Sequence, residues 1–304
     1  MVWLNANFVQ AQETLVAMQA AAKAAGLTFK AIDYDSANPA TLVAAFKQAL
    51  LYNPIGVALS GTPAAVWGAQ IFPLYRKAHV PIVEGLAGPQ QLNDVLVANL
   101  WNQDDVGAGA KVLADWVAAD SDGKAHAAVM YVPDFPILGG FAASFTNALK
   151  AVGPACSAKP IAETIPDVGS PSTANQPLVS AVQSDPSIHY IVLADGTLNP
   201  GLPQALSGAG ISGEKIAGEQ PSIENMQDVA EGRENAFMGE NFNYYGWLLL
   251  DAILRHYEGI PFAAADGGMP NELFTKANVG TPSAQMTAPA DYQQQFEKLW
   301  LVGS

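Results

Sequence analysis

The stretch AAGLTFKAIDYDSANPATLVAAFKQAL, residues 24–50, contains the end of one helix, one strand and the whole of the next helix. Gly26 is placed to end the first helix, because glycine tolerates the left-handed backbone of a helix C-terminus. The apolar residues 28–32 predict a strand. Asn38 and Pro39 then predict a helix start, with asparagine as N-cap and proline at the first helical position.

The same strand-to-helix unit repeats outward from this stretch. Around it, strands are predicted at 2–4, 56–59 and 81–83, and helices at 11–25, 39–51 and 63–79, the last capped by Thr62 before Pro63. After a connecting stretch at 97–105, the pattern restarts with a helix at 106–119 and a strand at 127–132, then a helix at 141–152, a polar loop at 166–177 and a helix at 178–184, followed by strands at 189–194 and 215–218. Strands alternating with helices predict parallel pairing, with helices covering both faces of each sheet.

The length and the order of elements together predict two lobes. A chain of 304 residues is long enough for two domains of ordinary size. The last predicted elements, a strand at 236–240, a helix at 245–257, a strand at 273–279 and a helix at 290–301, are too few for a third lobe. We therefore predict an α/β fold of two doubly wound parallel-sheet lobes, with these elements returning to complete both.

Composition limits the partners of the protein. The chain has 14 lysine and arginine residues against 28 aspartate and glutamate residues, a formal charge of -14. Nucleic acid and anionic membranes require a basic face, so neither is expected as a partner. Cys156 is the only cysteine, which excludes an intrachain disulfide and a thiolate metal cluster. The longest apolar run, within residues 247–254, is interrupted by Asp251 and is far shorter than the roughly 20 residues of a membrane span.

The glycine pattern GAGISG, residues 208–213, has the spacing of a dinucleotide-binding loop. That loop functions only when it follows a strand and opens a helix, because the pyrophosphate binds the helix N-terminus. Here a helix ending near Leu206 precedes the glycines, and the strand at 215–218 follows them. We interpret GAGISG as a helix-ending turn.

Polar and aromatic residues follow the predicted strands, where ligands bind in open α/β sheets. This mixture suits a small polar solute, whose hydroxyls pair with amides and carboxylates while a ring covers an apolar face. Asp104 and Asp105 could contribute to a cation site, but are better explained as helix-capping residues. The strand-end residues are Asn5, Asn7, Phe8, Ser60, Gly61, Thr62, Glu84, Pro133, Asp134, Phe135, Asp195, Gly196, Glu219, Gln220, Glu240, Asn241 and Asn243.

Catalysis has little support in the sequence. The four histidines, at positions 79, 126, 189 and 256, fall at helix ends or strand starts, away from the strand ends. A G-x-S-x-G nucleophile elbow is absent. No metal, cofactor or catalytic residue is therefore predicted.

The chain resembles type I periplasmic binding proteins, the solute receptors of ABC importers, in the branch of the ribose-type sugar receptors. The resemblance covers nearly the whole sequence. It rests on the order and spacing of several phrases: NANF at 5–8, the stretch at 24–50, AHVPIVEG at 78–85, NQDDVGAGAKVLADWV at 102–117, DPSIHYIVLADG at 185–196, KIAGEQPSIENMQ at 215–227 and MGENFNYYGWLLLDAIL at 238–254.

The resemblance implies a receptor that closes two lobes around its ligand and then docks on a membrane permease. Three crossings between lobes are expected, near 99–103, 240–243 and Gly280, so that the lobes comprise residues 1–101 with 243–279, and 102–242 with 280–304. A monomer outside the cytoplasm is implied, and a first strand that begins almost at Met1 fits removal of an export segment. Position by position, the expected ligand-binding residues are Asn7, Phe8, Glu84, Trp101, Asn102, Phe135, Asp195, Gln220 and Glu240.

One departure from the family pattern concerns the ligand. Sugar receptors of this branch carry an Asp-Arg pair after the fourth strand and a further arginine in the second lobe, where this chain has EGLA at 84–87 and DFPILGG at 134–140. The only arginines, Arg76, Arg233 and Arg255, lie away from the strand ends. Anionic ligands are ordinarily held by such arginines or by helix N-termini. A neutral sugar or polyol is therefore expected, with a cationic or aromatic solute as the alternative.

Two other functions fit the same elements. An α/β enzyme would use Glu84 or Asp195 as its acid or base, and turnover of a substrate would identify it. A ligand-sensing domain of a transcription regulator would require a basic helix-turn-helix ahead of the first strand.

Overall fold

A computed structural model of the chain describes residues 1–168, 170, 172–262, 268–283, 286–287 and 289–302. Parts of the predicted lobes at 243–279 and 280–304, and of the predicted loop at 166–177, lie outside the described residues. The strands are β1 (Val2–Ala6), β2 (Lys30–Tyr34), β3 (Val57–Ser60), β4 (Ile82–Gly85), β5 (Leu96–Leu100), β6 (His126–Tyr131), β7 (Ser157–Ala162), β8 (Tyr190–Leu193), β9 (Lys215–Glu219), β10 (Ala236–Glu240) and β11 (Asn271–Thr275).

The α-helices alternate with these strands through most of the chain. They are α1 (Val9–Ala24), α2 (Pro39–Leu50), α3 (Ala64–Ala78), α4 (Gln103–Asp120), α5 (Pro136–Val152), α6 (Ile165–Val168), α7 (Gln176–Ser184), α8 (Leu202–Gly208), α9 (Ile223–Glu231), α10 (Phe242–Glu258) and α11 (Tyr292–Leu299), with a 3-10 turn at Gly196–Leu198. Within the described residues, none of these helices is long and apolar enough to cross a membrane.

Two sheets have the same winding. The first sheet has the order β2-β1-β3-β4-β5 and is parallel throughout. The second has the order β11-β10-β9-β8-β6-β7, in which β7-β6-β8-β9-β10 repeats the first pattern. The predicted class, two doubly wound parallel sheets, is confirmed, except that β11 pairs antiparallel with β10 at the sheet edge.

Local sequence explains several element ends. The Asn38 side chain accepts a hydrogen bond from the Ala40 backbone N–H at 3.2 Å, as an N-cap does. Gly26 follows α1 with a φ of 68°, which confirms it as the helix-ending residue. The capping prediction for Thr62 is wrong, because Pro63 occupies the N-cap position and α3 begins at Ala64.

The structure contains elements that the sequence reading did not assign, among them helix α6 in the predicted polar loop and the 3-10 turn. Strand β5 lies in the stretch read as a connection, and β7 and α9 were given no element. Strand β7 has the burial pattern of an edge strand and contains Pro160, so it lacks the continuous apolar run of a central strand. The α9 capping box joins Ser222 and Asn225, a variant of the usual Ser-to-Glu pattern.

The chain divides into two compact units. Unit 1 comprises residues 1–102, 241–270 and 287–304, and unit 2 comprises residues 103–240 and 271–286. The chain thus passes between units after residues 102, 240, 270 and 286, whereas a single late crossing near Gly280 was expected. Strand β11 belongs to unit 2 because it pairs with β10, and α11 belongs to unit 1 because Phe296 and Trp300 pack on Trp247 of α10.

The glycine-rich GAGISG segment is a helix-ending turn, as predicted. Helix α8 ends at Gly208, and β9 begins at Lys215. Gly210 and Gly213 have φ angles of 75° and 98°, which suit glycine in a turn. The segment therefore has the reverse context of a dinucleotide-binding loop.

Candidate functional site

The carboxyl ends of the first sheet surround one buried acid. Glu84 in β4 is fully buried, and neither of its carboxyl oxygens has a hydrogen-bond partner within the described part of the chain. Burial raises the pKa of Glu84 well above its usual value. The nearby Trp67 indole, which donates to the Thr62 carbonyl oxygen at 2.9 Å, opposes this rise only in part. Burial therefore favours the neutral form of this carboxyl.

Hydroxyl groups lie beside this acid. The Ser60 Oγ and the Tyr245 hydroxyl are 2.8 Å apart, and the Tyr34 hydroxyl is 3.3 Å from the Thr62 Oγ1. Burial raises the pKa of Tyr34 to about 12 and also raises the pKa of Tyr245, with Glu84 adding to both shifts. Unit 1 thus gathers one carboxyl and four hydroxyls at the ends of β2, β3 and β4.

The predicted site residues of unit 1 have different surroundings. Asn7 is exposed after β1, and its Oδ1 accepts hydrogen bonds from the backbone N–H and the hydroxyl of Ser36, at 3.1 and 2.6 Å. Phe8 is half-buried at the start of α1. Trp101 is buried after β5 and packs on Phe242, with ring centroids 5.0 Å apart. This packing shows a core contact for Trp101, while Asn102 is half-buried directly before α4.

The carboxyl ends of the second sheet hold three acids. Asp195 follows β8, Glu219 ends β9 and Glu240 ends β10, and β8, β9 and β10 are neighbours in the sheet. All three are buried, with exposures of 7, 2 and 1%. The Asp195 carboxylate accepts hydrogen bonds from the Thr197 backbone N–H at 2.9 Å and from its hydroxyl at 2.6 Å, and so caps the 3-10 turn.

The two glutamates of this group are less well partnered. Both oxygens of Glu240 and Oε2 of Glu219 lack a hydrogen-bond partner within the described residues. The Gln220 backbone N–H faces the Glu240 carboxyl without a hydrogen bond of normal geometry. Burial, and then the negative charge of the neighbouring carboxyls, raises the pKa of Glu219 and of Glu240 well above the usual value.

Several residues that directly follow strands of the two sheets have strained backbone conformations. Among the described residues, Leu86, Trp101 and Gln220 have φ angles of 54°, 44° and 50°, and each directly follows a strand. A left-handed conformation costs a non-glycine residue about 1 kcal/mol or more, and such positions cluster at functional sites. Gln220, buried between Glu219 and the start of α9, is held in this conformation at the end of β9.

The remaining candidates lie near other helix starts. Phe135 is half-buried and occupies the N-cap position of α5. Asp104 and Asp105 lie in the first turn of α4, where acidic side chains interact favourably with the helix dipole. Among the described residues, no group of three metal-ligating side chains has the geometry to hold a metal ion.

Glu219 is a candidate residue that sequence reasoning did not select. It stood among the strand-end residues, but only its neighbour Gln220 was selected as a ligand-binding residue. The signal that could have identified Glu219 is its place as the acidic last residue of the strand KIAGE. A central parallel strand is covered on both faces, so an acid within it is buried.

The comparisons with known proteins address the fold. No family model matches the sequence, and no curated protein matches it. An ABC sugar transporter subunit from Rhodobacter sphaeroides 2.4.1 is similar over 91% of this chain and 98% of its own, with 20% identity and a TM-score of 0.76.

Two further solved structures have the same likeness. A sugar-binding protein of a sugar ABC transporter from Bacillus halodurans covers 93% of this chain and 100% of its own, with 17% identity and a TM-score of 0.77. An ABC transporter solute-binding protein from Agrobacterium vitis with bound allitol covers 91% and 96%, with 18% identity and a TM-score of 0.77.

These likenesses define the class of structure. The chain has the type I periplasmic binding protein fold, in the form seen in sugar-binding subunits of ABC transporters, as its sequence resemblance implied.

Proposed function

We propose that this protein is the extracytoplasmic solute receptor of an ABC importer and captures a small sugar or polyol by hinge closure. The observation that carries the proposal is the convergence of Asp195, Gln220 and Glu240 at the ends of three neighbouring strands. Carboxylates and amides at this edge can bond the hydroxyls of a polyol. Proteins of the same fold bind allitol and D-arabinose, which supports this class of ligand.

Both units are proposed to contribute ligand-binding residues. In unit 1 these are Asn7, Phe8, Glu84, Trp101 and Asn102, and in unit 2 they are Phe135, Asp195, Gln220 and Glu240. A ligand that contacts residues of both units favours the closed state over the open one, because it interacts with both only on closure. The closed state would then be recognised by a membrane permease, and no bond in the ligand is made or broken.

The ligand is proposed to carry no negative charge. All 14 lysines and arginines lie in the described part of the chain, and none lies at the strand ends described above. An anion placed beside Glu84 or Glu240 would lack a counter-charge and would meet buried carboxyls.

A thermal-shift screen of the purified protein against sugars, polyols, amino acids and carboxylic acids tests the proposal. A ligand present at a hundred times its Kd and bound only to the folded state adds about 2.7 kcal/mol of stability. We expect an upward shift with members of one sugar or polyol class. Stabilisation by carboxylic acids alone, or turnover of a test compound, would contradict the proposal.

Gln220→Gly is a sharp variant for this site. Its φ of 50° suits glycine, so the substitution removes the side chain without straining the backbone. We expect ligand affinity to fall about tenfold or more while the unfolding temperature stays close to wild type. Asp122→Gly is the matched control, because Asp122 has a φ of 52° in the same unit but lies just beyond the C-terminal end of α4. Equal affinity of both variants would remove Gln220 from the site.

A further inference from the structure

Buried acids are concentrated at the strand ends of unit 2. Asp195, Glu219 and Glu240 influence one another electrostatically, and the shifts of the two glutamates come from burial and from neighbouring carboxyls. Burying an ionised carboxyl without a partner is among the largest unfavourable terms in a folded protein. Glu219 and Glu240, whose carboxyls have oxygens without a hydrogen-bond partner in the described part of the chain, therefore require either bound protons or a cation.

The lysines and arginines of unit 2 are placed elsewhere. Lys215 pairs with Asp120 at the start of β9, Arg233 pairs with Asp228 and Glu231, and Lys111 pairs with Asp115 on an exposed helix face. The amino group of Lys276 donates to a backbone carbonyl at the C-terminal end of α9. Among the described residues, no ion pair joins a lysine or an arginine to Glu219 or Glu240.

The position of Glu219 is built into the neighbouring helix. A Cβ at position 109 of α4 would lie 2.0 Å from Oε1 of Glu219, so only glycine leaves room for this carboxyl. Helix α4 packs on β9 and β10, and the absence of a side chain at Gly109 leaves space for the Glu219 carboxyl. The carboxyl is thereby held at the strand end with its second oxygen unpartnered.

The number of unpartnered acceptors matches one chemical group. Oε1 and Oε2 of Glu240 and Oε2 of Glu219 are three buried oxygen atoms without a hydrogen-bond donor among the described residues. A primary ammonium group has three N–H donors and one positive charge. An ammonium group is thus able to donate a hydrogen bond to each of the three oxygens. Its positive charge also stabilises the ionised form of the two carboxyls.

We propose that the strand-end acids of unit 2 bind a primary ammonium group, so that the ligand is an amino sugar or an amino polyol. This inference rests on the proposed receptor function and narrows its ligand class. The amine of such a ligand suits the unpartnered oxygens of Glu219 and Glu240 in unit 2.

The test compares matched ligand pairs by isothermal titration calorimetry. Each pair contains an amine and its parent hydroxyl compound: D-glucosamine with D-glucose, D-galactosamine with D-galactose, and 1-amino-1-deoxysorbitol with sorbitol. The pH is kept low enough for the amines to carry a proton. We expect at least one amine to bind about tenfold or more tightly than its parent, since charge-assisted hydrogen bonds from an ammonium group to a carboxylate are stronger than bonds between neutral groups.

Matched variants test whether the preference for the amine depends on Glu219 and Glu240. Glu240→Gln and Glu219→Gln keep the shape of the side chain and remove its charge, and either should abolish the preference for the amine. Glu234→Gln is the control, because Glu234 is equally buried in unit 2 but both of its carboxyl oxygens accept hydrogen bonds from the Asn225 side-chain amide. A preference that survives both test substitutions would overturn the assignment.

The failures of the two proposals are distinguishable. Parent sugars or polyols that bind as tightly as their amines would overturn the ammonium site and leave the receptor function standing. A panel in which neither amines nor parents bind would overturn both.

Discussion

The parallel strands of the two sheets have the same order, but the residues at their carboxyl ends differ. At the strand ends of unit 1 the buried acid Glu84 lies among the hydroxyls of Ser60, Tyr34 and Tyr245, and the Ser60 and Tyr245 hydroxyls share a hydrogen bond. In unit 2 three acids adjoin one another, and the two glutamates have unpartnered oxygens. Because the winding of the strands is shared, the difference comes from the residues at the strand ends and not from the fold.

The space around the glycines near these strand ends differs as well. Substitution of Gly85 in unit 1 has the largest expected effect on the free energy of unfolding. A Cβ on Gly85 would lie 2.0 Å from the Tyr245 hydroxyl and 2.8 Å from the Leu100 carbonyl oxygen. Backbone cannot move aside cheaply, so Gly85→Ala should destabilise the protein by about 3 kcal/mol or more. Chemical denaturation measures this. Gly208→Ala, with open space around its Cβ, should stay within about 0.5 kcal/mol of wild type; equal losses would refute the packing argument.

Raising the pH should destabilise unit 2 through its buried glutamates. Burial raises the pKa of Glu163 from 4.5 to about 7 and that of Glu234 from 4.5 to about 8. The folded state therefore holds these protons more tightly than the unfolded chain does. The stabilisation is fully present below pH 4.5 and is lost as the pH rises through 7 for Glu163 and through 8 for Glu234.

Thermal unfolding midpoints at pH 5 and pH 8.5 measure this loss. We expect a lower midpoint at the higher pH and a smaller drop in Glu234→Gln, which has no proton to lose. The aspartates with lowered pKa, such as Asp94 and Asp185, are ionised in both states over this range and do not contribute. A midpoint that rises with pH would contradict the prediction.

The unit 2 counterpart of Gly85 is Gly109, and its substitution should have a smaller effect. The atom that a Cβ would meet is the end of the Glu219 side chain, which can rotate, and not backbone. Gly109→Ala should therefore cost about 1–2 kcal/mol, measured by chemical denaturation. It should also displace the Glu219 carboxyl, so that affinity for an amine falls more than affinity for its parent hydroxyl compound. Destabilisation equal to that of Gly85→Ala would contradict the predicted difference between the two glycines.

The smallest expected effect concerns the hydroxyl pair of unit 1. Tyr245→Phe removes the hydrogen bond to Ser60 and should cost about 1 kcal/mol. It should also relieve part of the clash in Gly85→Ala, since the hydroxyl is the nearest atom to the added Cβ. A double-mutant cycle on the unfolding free energy measures this coupling. Strict additivity of the two substitutions would show that the Leu100 carbonyl oxygen alone sets the cost.

Much of the fold could be predicted from local signals. Gly26 and the Asn38-Pro39 pair mark element ends that the structure contains, because capping depends on a few neighbouring residues. The context of GAGISG excluded a dinucleotide site on the same grounds. Strand β7 was missed because an edge strand with Pro160 lacks the apolar pattern of a central one.

Less of the site could be predicted. Strand ends located Asp195, Gln220 and Glu240 at one edge, because parallel strands bring their carboxyl ends together. Trp101 stays a predicted ligand-binding residue, and the sequence did not show that its ring packs on Phe242 and Tyr245. Burial of an aromatic side chain depends on helix α10, which lies about 140 positions later in the chain, and no local pattern contains that contact.

The sequence by itself determined the alternation of strands and helices, the shared winding and the edge at which polar residues gather, since these follow from short-range periodicity and chain order. Only the tertiary structure decided which acids lack partners and which segment completes which unit. Glu219 became a site residue because Gly109 of a distant helix makes room for its carboxyl, and β11 joined unit 2 because its backbone pairs with β10. Both depend on contacts between residues far apart in the chain, where hydrogen bonding and packing, not local propensity, set the outcome.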